Sequence, residues 1–113
     1  MTLHQIIRVL EATVLSGESR LDIEIDSGYA SDLLSDVMAN AQENQIWMTL
    51  QTHPNVVAVA LLLNLGATVI TGGYQPDPVT IEKAQSENIV LLTTTFKTFD
   101  AVIKLSKSGF NCD

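Results

Sequence analysis

Gly66-Ala67-Thr68-Val69-Ile70-Thr71-Gly72-Gly73-Tyr74-Gln75-Pro76-Asp77-Pro78 joins a short apolar run to two glycines and then to a helix start. Residues 67–71 have the aliphatic, β-branched make-up of a buried strand. Asp77 followed by Pro78 supplies a capping side chain and a residue whose fixed φ suits the first helical position, so a helix is expected from 77 to about 88. Strand, glycine turn and helix in that order place backbone amides at the carboxyl edge of a parallel sheet, where such folds bind ligands. Two readings of Gly72 and Gly73 stand on spacing alone. They line an anion or ligand loop, or they only permit positive φ in the turn.

Upstream, Pro54 and Asn55 open a helix expected to run to Leu65, with Gly66 as its stop. Residues 44–76 hold no Asp, Glu, Lys or Arg, and VVAVALLLNL is apolar almost all round. Such a helix must be covered on more than one side, by central packing or by another subunit. Residues 46–50 read as a strand containing Trp47, for which core packing is the default. From about 30 to 43, Leu33, Leu34, Val37, Met38 and Ala41 form one apolar face of a helix. The alternation Leu21-Asp22-Ile23-Glu24-Ile25 predicts a strand with one wet side, followed by a loop at 26–29. Leu3, Ile6, Ile7 and Leu10 predict a short first helix, and Gly17 breaks the pattern after it.

Downstream, residues 89–93 are a further strand, and a last helix is expected over 96–107, with Phe96, Phe99, Val102, Ile103 and Leu105 inward and Gly109 at its end. From residue 20 the order is strand and helix four times over, with short connections. That predicts one α/β domain over 1–113, a mostly parallel sheet of four to five strands with helices on both faces, a three-layer sandwich.

Six basic against thirteen acidic residues give a net charge of −7, which argues against nucleic acid and anionic membranes as partners. The acid is uneven: residues 1–43 hold eight carboxylates and two bases, and four of the six bases (Lys83, Lys97, Lys104, Lys107) lie in the last third. The single cysteine, Cys112, cannot pair internally, and the amino end lacks the continuous apolar run of a signal peptide, so a cytoplasmic location is expected. Phosphate-loop and dinucleotide fingerprints and paired cysteines are missing from the sequence, and His4 and His53 are far apart, so no catalytic or metal residues are assigned. Asp22, Glu24, Asp26, Asp32 and Asp36 are read as a solvated face.

The succession "GATVITGG" at 66–73, a proline-containing turn and "IEKAQSENIVLLTTTFKTFDAV" at 81–102, behind an apolar helix, resembles the DRTGG domain family over roughly 5–107. Thr71, Gly72 and Gly73 match the TGG half of the signature, while the Asp-Arg half falls on Thr52 and His53. The resemblance implies a regulatory or accessory module, as found beside CBS domains, often dimeric and without a settled catalytic role. It also implies a fold similar to the amino-terminal domain of HPr kinase/phosphorylase. Histidine, partly charged near neutral pH, replaces a permanently cationic bidentate arginine, so anion binding is expected to be modest. If the sheet is parallel, Thr52 and His53, Thr71–Gly73, and Thr93, Thr94 and Thr95 share one edge and form the expected ligand site. The alternative is that the threonines cap helices and His53 fixes its own loop.

The leading expectation is therefore a non-catalytic sensing module for a small anionic or nucleotide-like ligand of unknown identity, acting as a homodimer and signalling to a partner protein. The alternative is a pure interaction subunit with a vestigial groove.

Overall fold

The computed structural model describes residues 1–110; Cys112 lies outside them. Five strands form one sheet in the order β1-β5-β4-β3-β2. These are β1 (Thr13–Ser16), β2 (Gly28–Ala30), β3 (Ile46–Thr49), β4 (Ala67–Ile70) and β5 (Leu91–Thr93). β2 to β5 run parallel, and β1 pairs antiparallel with β5 at the edge. The helices are α1 (Leu3–Leu10), α2 (Leu34–Asn40), α3 (Asn55–Leu63), α4 (Pro78–Ser86) and α5 (Thr98–Lys107).

Because β2, β3, β4 and β5 are laid down side by side in chain order, right-handed crossovers put α2, α3 and α4 on the same face. Their core joins Val37, Trp47, Val56, Val57, Ala60, Ile70, Ala84 and Leu91. The opposite face is left to α1 and α5, which cover Met48, Val69 and Leu92 with Leu3, Ile6, Leu10, Ala101 and Leu105. This is the expected three-layer sandwich, but with three helices on one side and two on the other. Among the described residues no helix is long and apolar enough to cross a membrane.

Several local expectations are corrected. The strand expected at 21–25 is not in the sheet: this segment lies along the amino end of the chain, with the Leu3 amide on the Ile23 carbonyl, the His4 amide on that of Leu21 and the Ile25 amide on that of Met1. Its alternation is real, since Ile25 is buried and Leu21 and Ile23 pack on the core, but the apolar side serves α1 rather than a strand layer. The sheet instead takes β1, and the expected loop supplies β2, which completes the open edge of β3. α1 ends at Leu10 with Glu11 in the left-handed region at φ 50°. α3 ends in the same way on Asn64, at φ 54°, and not on Gly66. Gly66 is needed for closeness: a Cβ there would stand 2.8 Å from the Asn44 carbonyl oxygen. α2 is shorter than expected and buries Val37, while Leu33 and Met38 face solvent. On α5, Ala101 and Leu105 point in, whereas Phe99, Val102 and Ile103 point out.

Candidate functional site

The parallel strands bring the three expected loops to one edge and bond them to each other. The Thr71 amide donates to the Thr49 carbonyl (3.0 Å) and the Thr94 amide to the Ile70 carbonyl (3.0 Å), which prolongs the ladder past the strand ends. The Thr52 carbonyl accepts from the Asp77 amide (3.2 Å) and from Thr80 Oγ1 (2.7 Å). The hydroxyls of Thr71 and Thr98 are 2.6 Å apart. Thr94 Oγ1 donates to the Leu10 carbonyl (2.7 Å) and accepts from the Phe96 amide (3.3 Å), tying α1 to the start of the last loop.

This geometry directs the glycine amides inward. Gly72 N–H donates to the Phe96 carbonyl (2.8 Å) and Gly73 N–H to the Thr94 carbonyl (3.0 Å), both with positive φ, 75° and 78°. The two glycines therefore let the chain reverse and dock on the neighbouring loop, and the space beside Gly73 stays open, with nothing within 4 Å of an added Cβ. Of the residues on these loops Gly73, Thr95, Tyr74 and His53 are exposed, while Thr71, Thr93 and Thr94 are buried. His53 Nδ1 accepts from the Asn55 amide (3.1 Å) and its carbonyl from the Val56 amide (3.0 Å), so this residue closes the first turn of α3. With Nδ1 accepting, the ring proton sits on Nε2, which leaves one donor for a ligand. Asp77 precedes α4 without a side-chain capping bond; its carbonyl holds the Thr80 and Ile81 amides instead.

Sequence reading missed Asp32. Its Oδ1 accepts from Thr49 Oγ1 (2.9 Å) and the Leu50 amide (2.7 Å), and its carbonyl from Gln51 Nε2 (2.8 Å). It thus anchors the β3–α3 loop from the next strand instead of belonging to a uniformly solvated face. The available signal was its place directly after Tyr29-Ala30-Ser31, which is informative only once that stretch is known to be a strand. A cavity of about 470 Å³ lies away from this edge, between β2, β3 and the carboxyl half of α5, lined by Gly28, Ala30, Ile46, Met48, Val102 and Phe110. Among the described residues no group of three or more His, Cys, Asp or Glu side chains stands close enough to hold a metal ion.

Beside Asp32, Tyr29 donates its phenol to Asp36 Oδ2 (2.9 Å). The Ser31 hydroxyl and then this phenol hold the Asp36 carboxyl below its usual range, and the bond to Asp36 raises Tyr29 above the usual phenol value. A depressed carboxylate stabilises the fold above about pH 4, and that contribution is lost as pH falls through the lowered value. A raised phenol stabilises it below about pH 10, and the contribution is lost as pH rises through the raised value. Tyr29→Phe should therefore lie closest to wild type at both extremes of pH and furthest from it between them, in urea midpoints measured across pH. A constant offset at every pH would contradict this.

The model of the DRTGG domain family matches residues 5–108, and the chain belongs to that family. A solved structure, the CBS and DRTGG domains of the regulatory region of a Clostridium perfringens pyrophosphatase complexed with its activator diadenosine tetraphosphate, is similar in fold. The TM-score is 0.74 at 22% identity, over 95% of this chain and 46% of that one, so the chain spans about half of that structure's length. No curated protein matches the sequence.

Proposed function

We propose that this domain is a non-catalytic regulatory module of the cytoplasm that binds a small anionic or nucleotide-like ligand at the carboxyl edge of its sheet, pairs with a second copy, and passes the liganded state to a partner protein. The observation that carries the reading is the bonding of Thr52, Thr71–Gly73 and Thr94 into one edge. A ligand settling on any of these loops shifts the others, because each donor engaged there belongs to a neighbouring loop. Membership of a family with a place in a nucleotide-activated regulatory region supports the same class of ligand. The exposed groups are Gly73, Thr95, Tyr74 and the Nε2 edge of His53, which suit a phosphate next to an aromatic face; the Asp-Arg pair of the signature is absent, so affinity is modest.

The test is isothermal titration of the chain with diadenosine tetraphosphate, ATP and AMP, repeated on His53→Ala and Gly73→Val. Binding to wild type that falls at least about fivefold, roughly 1 kcal/mol, in each variant is the expected result. Binding that neither substitution changes removes this edge as the site.

One observation favours the second reading, an interaction subunit with a vestigial groove. α3 turns Ala58, Leu61 and Leu62 outward, with Leu62 68% exposed, and carries no charge. Under that reading this face docks the partner, and none of the nucleotides binds.

A further inference from the structure

Among the described residues α1 and α5 are the two helices on this face of the sheet, and α5 stands as a ridge between two depressions. On one side is the apolar cavity floored by Gly28, Ala30, Ile46 and Met48. On the other is a shallower one bounded by Phe96, Asp100, Ile103 and Lys107. At 100° per residue, Phe99, Val102, Ile103 and Ser106 share the crest of the ridge. The three apolar ones are 76%, 47% and 38% exposed, an outward stripe on a helix whose other apolar positions are buried. Asp100 and Lys107 are seven residues apart and lie along the same flank of that stripe. Among the described residues neither has an ion-pair partner, whereas Lys104 is already placed over the Phe96 ring at 4.5 Å.

This pattern is its own complement under reversal of the helix. We infer that the crest of α5 is where a second copy of this chain docks, the two helices antiparallel across a two-fold axis, with Phe99 of each copy on Ser106 of the other and Asp100 of each facing Lys107 of the other. The inference rests on the pairing reading above, and it places the contact on α5. The two-fold operation that reverses one helix leaves its flank on the same side of the interface, so Asp100 meets Lys107 twice. A large side chain meets a small one at both ends of the crest, and antiparallel macrodipoles attract. The outward face of α3 has no charge with which to set a register or reject other apolar surfaces.

Sedimentation equilibrium of the whole chain over roughly 1–300 µM tests this, a span that reads dimers of ordinary micromolar strength. Wild type should dimerise, and Phe99→Glu should weaken the dimer at least about tenfold with an unchanged circular dichroism spectrum, since the side chain lies outside the core. Asp100→Lys and Lys107→Glu should each weaken it several-fold, and the double reversal should return it to within about threefold of wild type. Leu62→Glu should leave it intact. A wild-type monomer throughout overturns the pairing reading and this inference together. A dimer that survives Phe99→Glu but is split by Leu62→Glu keeps the pairing and overturns the α5 contact, and a double reversal that fails to restore association overturns the antiparallel arrangement.

Discussion

Trp47→Ala is expected to lower the unfolding free energy by about 3–5 kcal/mol, the largest effect of any single side-chain truncation in this chain. Trp47 is fully buried in β3, an interior strand, among Val37, Val56, Val57 and Leu91. Its indole N–H donates to the Ser31 carbonyl (2.9 Å), so truncation opens a cavity and also strands an acceptor. Trp47→Phe separates the two: it keeps most of the packing, loses the donor, and should cost nearer 1–2 kcal/mol. Urea denaturation followed by far-ultraviolet circular dichroism gives both values. A midpoint for Trp47→Ala indistinguishable from wild type would mean that the α2–α3 layer does not depend on this residue. The consequence reaches the candidate site, because Ser31 precedes Asp32, and Asp32 holds the end of β3 through Thr49 and Leu50.

Gly17→Ala should destabilise by about 2–5 kcal/mol, from a left-handed backbone and an overpacked contact acting together. Gly17 has φ 83°, and a Cβ there would lie 2.7 Å from Val90 Cα, a backbone atom with no room to yield. The glycine brings the end of β1 against the chain entering β5, where Ser16 Oγ donates to the Ile89 carbonyl. Gly73→Ala is the control. It has a similar φ of 78° but open space beside it, so only the conformational cost of about 1 kcal/mol applies. Equal losses in the two variants would show that φ alone sets the cost and that the contact with Val90 does not matter.

Those two glycines mark how much was legible in the residues. The sequence by itself determined the layered α/β class, the parallel succession from β3 to α5, the buried state of Trp47 and the shared edge of the three candidate loops. Each of these follows from local pattern: aliphatic runs of strand length, helix starts at Pro54 and Asp77-Pro78, and the fixed hand of βαβ crossovers. The TGG turn was legible too, because glycine at positive φ is a local requirement, and the family was legible through the resemblance of residues 66–73 and 81–102 to its members. The tertiary structure decided which elements fill the remaining places. The alternation at 21–25 looks the same whether its partner is a strand or the amino end of the chain, and Gly28-Tyr29-Ala30 becomes a strand only because β3 offers it an open edge. The inward turn of the Gly72 and Gly73 amides depends on where Phe96 and Thr94 place their carbonyls, more than twenty residues away. The outward stripe on α5 has the same origin: with α2, α3 and α4 confined by handedness to one face, α1 and α5 are the helices left for the other among the described residues, and part of the α5 apolar surface is exposed there.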